Sequence, residues 1–343
     1  MHLAMLLESR AGSVTAQQHG PHARGDFHCT KAAHRHATLP LMKRKLAALS
    51  AAFILAINAL VLSHAHALTH FNEGGPRTPM PEDLHGTDWA RTLVLGASIP
   101  KPTNAPPPDG YEVGLVGELE TWSSPGSPTV ALFHGYTESK EQLLPVARFF
   151  RDRGFGVVLV DFAGHGGSGG EPRTTLGWRE AEDVLAVAEA MQPELLYGFS
   201  MGSAAILRAC SLGMRADGLI LEAPFDTLVG TVRNRFRRMD LPPSPGAEWL
   251  TFWGSVAMGI PGHRHNPVDF ARACPIPALV IGGSDDDSAR PQEVAAVAEA
   301  LDAPHLELAM GHQLGVRAAP GAWGEAVLDL ADRASRAQPG ISR

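Results

Sequence analysis

The chain has 343 residues, 44% of them hydrophobic and 19% charged, so it can fill a sizeable core and is not globally disordered. Its 29 basic and 36 acidic side chains give a formal net charge of −7, and with no long Lys/Arg block it lacks the electrostatic footprint of a nucleic-acid-binding protein. The three cysteines show no Cys-x-x-Cys spacing and cannot form a disulfide framework, which excludes a cysteine-stapled or zinc-ribbon fold.

The first part of the chain is polar. Residues 1–41 are rich in His, Ala and Gly and have no sustained apolar period, which predicts a disordered segment or a start codon placed too early. Histidines are frequent between His2 and His70, but none has Cys or carboxylate partners at metal-ligand spacing. We therefore predict no metal site there.

Residues 42–67 have the pattern of a membrane-targeting segment. Three basic residues at 43–45 precede the apolar run 46–62, in which only Ser50 and Asn58 are polar. A small-x-small triplet ends at Ala67, so the segment is predicted to be a cleaved signal peptide or, at about 1.5 Å per helical residue, an uncleaved transmembrane anchor. In either case residues after 68 are expected outside the cytoplasm. A buried helix of the globular domain is the alternative.

A proline-rich segment, residues 68–110, is predicted to be a tether. After it, short β-branched runs alternate with amphipathic segments. Strands are predicted at 114–122, 129–133, 156–160, 195–199, 218–222, 278–281 and 305–309, and helices at 140–153, 178–191, 203–212, 292–301 and 322–334. This alternation predicts an α/β fold with a mostly parallel sheet and helices on both faces. Active groups are expected beyond the carboxyl ends of the strands.

The most specific motif is a Gly-x-Ser-x-Gly sequence, Gly198 to Gly202, between a predicted strand and a predicted helix. The turn at such a site is so tight that side chains two positions either side of the serine would collide with the backbone. It projects the Ser200 hydroxyl at a helix N-terminus, where developing negative charge is favoured. Ser200 is therefore the candidate nucleophile, with a structural turn as the alternative.

A serine nucleophile needs a base and a group that orients the base. His312 follows the last predicted strand and is the candidate base, with a surface-loop histidine as the alternative. Three adjacent aspartates, 285–287, follow the preceding strand. We choose Asp286 as the orienting acid because its spacing from Gly283 matches the usual loop length, and Asp285 is the alternative acid.

The third requirement is an oxyanion hole, a pair of backbone N–H groups aimed at the oxygen of the tetrahedral intermediate. The loop His134-Gly135-Tyr136 follows a predicted strand, and we expect the amides of Tyr136 and Met201 to form the hole. His134 is interpreted as a brace for this loop. The Tyr136 side chain is expected to line the acyl pocket.

Together these motifs resemble the α/β-hydrolase superfamily from about residue 111 to 330, and within it the serine-hydrolase branch of monoacylglycerol lipases, lysophospholipases and serine aminopeptidase-like hydrolases. The resemblance implies a Ser200, Asp286 and His312 triad and a hydrolase domain at 111–335. The family's Asp-x-Arg-Gly-His-Gly-x-Ser stretch is present, but with Ala163 in place of the arginine. Its Asp161 and His165 are interpreted as structural.

The segment from about 226 to 275 interrupts the strand–helix alternation and resembles the family's cap. It contains four clustered arginines, Arg233, Arg235, Arg237 and Arg238. They form either a solvated face or a surface for anionic headgroups or for a substrate carboxylate or phosphate. The aromatic patch at 249–258 either packs the cap on the core or lines an acyl channel.

The sequence thus predicts a serine hydrolase that cleaves carboxylic esters through an acyl-enzyme, and proximity to a membrane favours lipid-derived esters. This mechanism needs no metal or organic cofactor. A peptidase or thioesterase with the same triad is one alternative. The other is a non-catalytic, membrane-tethered binding protein that keeps the hydrolase fold. In each case residues 46–62 are expected to associate with a membrane.

Overall fold

The computed structural model describes residues 33–79, 87–88, 91–92 and 96–336. Contacts divide the chain into two units, residues 1–54 and residues 55–343. The disorder predicted for residues 1–32 lies outside the described residues.

Helix α1 (Ala33–Thr69) carries the apolar segment. Its stretch Leu41–Thr69 has a mean hydropathy of 2.3 and is, by length and composition, able to cross a membrane. The helix begins at Ala33, inside the stretch 1–41 that was predicted to be disordered. The sequence does not predict this extension, because it passes Pro40, which has no N–H to donate, and lacks an apolar period.

An eight-stranded sheet forms the centre of the described part of the second unit. Its strands are β1 (Glu112–Val116), β2 (Leu119–Ser124), β3 (Thr129–Phe133), β4 (Gly156–Val160), β5 (Leu195–Phe199), β6 (Gly218–Glu222), β7 (Ala278–Gly283) and β8 (His305–Leu308). They lie in the order β1-β2-β4-β3-β5-β6-β7-β8. The pairs β1–β2 and β2–β4 are antiparallel and all other pairs are parallel. The prediction of a mostly parallel sheet is confirmed.

The strand predicted at 114–122 is instead a hairpin. Val116 pairs with Leu119, which leaves a two-residue loop between β1 and β2. Gly117, the first loop residue, has φ +60°, a conformation that favours glycine. The prediction missed the turn because the apolar alternation continues on both sides of it.

Helices follow most strands. They are α2 (Leu144–Arg151), α3 (Glu180–Met191), α4 (Met201–Ser211), α5 (Leu228–Arg238), α6 (Gly246–Met258), α7 (Pro267–Arg272), α8 (Pro291–Ala300), α9 (Gly315–Ala318) and α10 (Pro320–Arg336). The helix predicted at 140–153 is a 3₁₀ turn, Lys140–Leu143, followed by α2. Pro145 lies in the first turn of α2, where its missing N–H is tolerated.

Helices cover both faces of the sheet, as predicted. On β3, Val130 and Leu132 join a buried cluster with α2 and α10, whereas Ala131 and Phe133 join one with α3 and α4. Since both faces are buried, the parallel strands are continuous apolar runs rather than alternating ones.

The segment between β6 and β7 contains α5, α6 and α7, which occupy the region predicted as a cap. Arg233 of α5 forms an ion pair with Glu248 of α6. Two further arginines also have polar partners, since Arg237 donates to Asn234 and Arg238 donates to Ser288.

Parts of the predicted tether pack against the domain. Phe71 and Ile99 are buried, and the amide of Phe71 donates to the carbonyl of Pro172 at 2.6 Å. The Asn72 amide also donates to the carbonyl of Ile99 at 2.8 Å. These contacts tie Phe71 to the domain and join Asn72 to Ile99.

One disulfide links Cys210 of α4 to Cys274, just after α7. The sequence argument against a disulfide framework therefore missed a single bridge. Its two cysteines are 64 positions apart, and only the packing of α7 beside α4 brings them together.

Candidate active site

Ser200 lies at the turn between β5 and α4, with φ +52° and ψ −108°. This backbone conformation is rare for a non-glycine residue and presents the hydroxyl at the helix N-terminus. A Cβ on Gly198 would lie 2.5 Å from the Ser203 amide nitrogen, and one on Gly202 would lie 2.2 Å from the carbonyl oxygen of Phe133. Neither position can therefore carry a side chain, because backbone atoms lie too close to it. For Gly202 those atoms belong to the neighbouring strand β3.

The structure brings Ser200, His312 and Asp286 together, although they are far apart in the chain. The distance from His312 Nε2 to Ser200 Oγ is 3.2 Å, and that from His312 Nδ1 to Asp286 Oδ2 is 2.7 Å. The imidazole therefore lies between a hydroxyl and a carboxylate. In this arrangement Nδ1–H donates to Asp286, and Nε2 is left to accept from the serine hydroxyl.

Two adjacent loops position the histidine and the aspartate. The Ser284 amide donates to the Leu308 carbonyl at 2.8 Å, and the Asp285 amide donates to the Met310 carbonyl at 3.1 Å. These bonds hold the loop after β7 against the loop after β8, which carries His312.

Among the three consecutive aspartates, only Asp286 is buried, with 2% of its surface exposed. Its Oδ1 accepts from the amides of Ser288 and Ala289 at 2.7 and 2.9 Å, which fixes the carboxylate. Asp285, the alternative acid, is exposed, as is Asp287. The geometry therefore places Asp286 rather than Asp285 beside His312.

Met201 and Tyr136, whose amides are expected to form the oxyanion hole, lie at the start of α4 and in the loop after β3. Met201 is the first residue of α4, so its N–H belongs to the helix end that has no intrahelical acceptor. Tyr136 lies in the loop after β3, but its hydroxyl donates to the Leu68 carbonyl at 2.5 Å. Burial raises the pKa of the Tyr136 phenol to about 12, so the hydroxyl remains a donor. Its side chain thus joins the loop after β3 to the end of α1.

His134 holds the loop after β3 against the loop after β4. Its Nδ1 lies 2.8 Å from the Gly135 carbonyl, and its Nε2 accepts from the Phe162 amide at 3.3 Å. Burial, with the neighbouring His165 adding to it, lowers the pKa of His134 to about 3. The ring is therefore neutral and able both to donate and to accept.

Lys140 is a buried cation that the sequence analysis did not single out. Its side chain is fully buried and forms ion pairs with Asp161 and with Glu120, the latter at 2.7 Å. The Lys140 amide also donates to Asp161 at 2.7 Å. In this chain, Ala163 replaces the arginine of the family's motif. The basic partner of Asp161 is Lys140 instead.

Glu222, at the end of β6, was also missed. Its carboxylate is fully buried and accepts from Tyr197 at 2.7 Å, from Trp323 at 2.9 Å and from the Gly315 amide. Its carbonyl accepts from the Ser200 amide at 2.8 Å. This one residue therefore contacts both the nucleophile turn and the chain just after His312. Burial raises the pKa of its carboxyl, and its hydrogen-bond donors oppose the rise.

Among the described residues, no group of three or more His, Cys, Asp and Glu side chains is placed to hold a metal ion. The groups that the site does bring together are a hydroxyl, an imidazole and a carboxylate. That combination can move a proton from the hydroxyl as it attacks a carbonyl carbon.

The sheet order, the helices on both faces and the serine turn after β5 are those of the α/β-hydrolase fold. Residues 125–249 match the family model described as Hydrolase_4, serine aminopeptidase S33. This confirms the resemblance inferred from the sequence motifs.

Known proteins resemble parts of the chain. Polyketide transferase ATR5 of Stachybotrys chlorohalonatus is 34% identical over 119 residues, which are 31% of this chain and 40% of that protein. Protein ABHD12B of Homo sapiens is 30% identical over 115 residues, which are 30% of this chain and 31% of that protein. The match thus spans less than half the length of either relative.

A solved esterase from Pyrococcus furiosus matches with a TM-score of 0.57 at 21% identity, covering 68% of this chain and 97% of that chain. At this identity the likeness establishes the fold.

Proposed function

We propose that the protein is a serine hydrolase that cleaves carboxylic esters through an acyl-enzyme intermediate. The observation that carries the proposal is the chain of contacts from Ser200 Oγ through the His312 imidazole to Asp286, at 3.2 and 2.7 Å. Ser200 is the nucleophile, His312 the general base and Asp286 the acid that orients the imidazole.

In the first half of the reaction, His312 Nε2 takes the proton from Ser200 as its oxygen attacks the ester carbonyl. Asp286 holds the imidazole in the correct tautomer and stabilises the imidazolium. The amides of Tyr136 and Met201 donate to the oxyanion, a contribution of about 3–4 kcal/mol per donor. The imidazolium then protonates the departing alcohol, which leaves the acyl group on Ser200.

In the second half, His312 takes a proton from a water molecule that attacks the acyl-enzyme. The collapse of the second tetrahedral intermediate returns the proton to Ser200 and releases the carboxylic acid. The same groups would serve amide or thioester substrates, so the substrate class must be tested separately.

Two features favour a location outside the cytoplasm, and the first of them also favours a hydrophobic ester. Helix α1 is long and apolar enough to cross a membrane, and basic residues at 43–45 precede its apolar run. The Cys210–Cys274 disulfide is typical of an oxidising compartment. Both support a hydrolase domain that is exported or anchored on the outer face of a membrane.

Labelling with a fluorophosphonate probe tests the nucleophile. The full-length protein should react, Ser200→Ala should not, and Ser284→Ala, which alters an exposed serine in the Asp286 loop, should react like the wild type. An inert, folded wild type would favour the non-catalytic binding protein.

Turnover of p-nitrophenyl esters of rising chain length then defines the acyl preference. Amino-acid p-nitroanilides and acyl thioesters serve as comparison substrates. Faster turnover of either comparison class would replace the esterase assignment with a peptidase or a thioesterase.

Asp286→Asn tests the acid. The change should lower kcat by about 10³–10⁴-fold, since the asparagine amide stabilises the wrong imidazole tautomer. Asp285→Asn and Asp287→Asn alter exposed neighbours and should have little effect. Equal losses in all three variants would contradict the assignment of Asp286.

A phosphatase fused after residue 75 tests the topology in a bacterial host. Export predicts an active fusion in the periplasm, because the phosphatase needs an oxidising compartment to fold. A silent fusion that is nevertheless produced would contradict the proposed location.

A further inference from the structure

Cap helix α6 has large apolar side chains on the side that faces away from the domain. Its buried side is formed by Ala247, Thr251, Gly254 and Met258. Its opposite side, called here the outer face of α6, is formed by Trp249, Phe252, Trp253 and Val256. A helix that is apolar on both sides is normally covered on both sides.

The described protein leaves much of this outer face uncovered. Trp249, Phe252 and Val256 are 37%, 59% and 54% exposed. The Phe252 ring packs edge-on against Trp253 at 5.3 Å between centroids, so these two rings are contiguous. Contiguous exposed apolar surface on a protein usually marks an interaction site.

The contact between this face and α1 indicates what covers it. The indole N–H groups of Trp249 and Trp253 both donate to Asn58 Oδ1, at 3.0 and 2.9 Å. Asn58 lies within the apolar run 46–62 of α1, four residues before its end at Leu62. At about 1.5 Å per residue, it lies about 6 Å inside that end of the run.

The end of α1 is held firmly on the same domain. Ala65 and Thr69 are buried, and Tyr136 donates to the carbonyl of Leu68. The amide of Thr174 donates to the Thr69 carbonyl at 2.9 Å. If the apolar run crosses a bilayer, these contacts keep α6 beside Asn58 and the last residues of that run.

We propose that the outer face of α6 is a membrane-docking surface that lies in the outer leaflet of the bilayer spanned by α1. Its continuity with the apolar run, through Asn58, selects a lipid bilayer as the occupant. Tryptophan is enriched at this depth because its ring is apolar and its N–H is polar. The docking requires that α1 is retained as an anchor rather than removed after Ala67.

This docking deepens the proposed function and rests on it for one consequence. The cap lies between β6 and β7, next to the carboxyl edge that carries the candidate site. The cap segment begins after Glu222, whose carbonyl accepts from the Ser200 amide, so a cap held in the leaflet keeps Ser200 near the bilayer. We therefore expect the ester substrate to arrive from the lipid.

Environment-sensitive labels on the full-length protein test the docking. Single cysteines, Phe252→Cys, Phe53→Cys and Leu212→Cys, are introduced in a Cys29→Ser background and carry the fluorophore NBD. Phe53 reports on the apolar run, and Leu212 is a matched exposed control at the far end of α4. The proteins are reconstituted in phosphatidylcholine–phosphatidylglycerol vesicles with and without doxyl-labelled lipid.

We expect doxyl lipid to quench the labels at positions 53 and 252, and aqueous iodide to quench the label at 212. Quenching at 53 with an iodide-accessible label at 252 would overturn the docking. So would energy transfer between copies labelled at 252, which would assign the face to a second copy of the chain. Absence of lipid quenching at all three positions would overturn both the anchor and the docking.

A double variant, Phe252→Glu with Val256→Glu, tests the consequence for substrate. We expect the ratio of turnover of a vesicle-embedded long-chain ester to that of a soluble short-chain ester to fall about tenfold. Leu212→Glu should leave that ratio unchanged. A folded double variant with an unchanged ratio would overturn delivery from the bilayer. No turnover of any ester by the wild type would contradict the proposed function instead, while the label experiment would still decide the docking.

Discussion

Helices α4 and α6 differ in how the protein covers them, although the sequence of each contains few charges. Nine of the eleven residues of α4 are buried, against the sheet and its neighbouring helices. In α6 only four of thirteen are buried, and aromatic side chains project outward. An apolar composition therefore indicates that a helix will be buried. Only the structure shows whether the rest of the protein buries it.

Among the changes considered below, crowding the start of α4 should have the largest effect on activity. Gly202→Ala would place a Cβ 2.2 Å from the Phe133 carbonyl, at the strand that leads into the oxyanion loop. We expect kcat/KM to fall by about 10²-fold or more and the free energy of unfolding to fall by about 3 kcal/mol. Steady-state kinetics and urea denaturation measure the two effects. A fully active Gly202→Ala enzyme would contradict the tight packing at this turn.

A second change tests the buried ion pair between Lys140 and Asp161. Lys140→Ala leaves Asp161 without its cation, and removal of one partner of a buried pair destabilises by about 3–5 kcal/mol. Arg272→Ala breaks the exposed pair with Asp269 in the cap region and should change stability by about 0–1 kcal/mol. Chemical denaturation of both variants gives the comparison. Similar losses would mean that the two environments are equivalent.

Asp183 of α3 gives a pH-dependent test. Its Oδ2 accepts from the Ala163 amide at 2.9 Å, and burial raises the pKa of its carboxyl from 3.8 to about 7. The unfolded state therefore loses its proton first, so this group lowers stability as pH rises through that interval. Asp183→Asn should raise the midpoint of thermal unfolding by about 2–4 °C at pH 8 and leave it unchanged near pH 4. A larger gain at pH 4 would contradict the sign.

The smallest effect should come from filling space in α6. A Cβ on Gly254 would meet Met258 at 3.8 Å, an ordinary contact. Gly254→Ala should therefore stabilise the protein by about 0.5–1 kcal/mol, because alanine loses less backbone entropy in a helix. Thermal unfolding measures the gain. A loss as large as that of Gly202→Ala would show that the cap is packed as tightly as the sheet edge.

Sequence reasoning was most informative where a short pattern of residues determines the local backbone conformation. The parallel sheet followed from alternating periods, and the turn at Ser200 followed from glycines that no other residue could replace. The choice of Asp286 over Asp285 rested on loop length alone. In the structure Asp286 contacts His312, because backbone amides in its own loop orient the Asp286 carboxylate.

The missed features depend on contacts between distant segments. Lys140 reads as an ordinary charged residue at the start of a helix, and its burial appears only when β2 and the loop after β4 surround it. Glu222 ends an apolar strand, and its donors come from Tyr197, Gly315 and Trp323. No local sequence pattern predicts such partners.

The disulfide has a consequence for proteolysis. Every peptide bond of α5, α6 and α7 lies between Cys210 and Cys274. A protease that nicks an exposed cap segment therefore yields two fragments that remain covalently joined, and they separate only on a reducing gel. Such a clipped molecule would keep Ser200 on one fragment and His312 on the other, cross-linked through α4, the helix that follows Ser200.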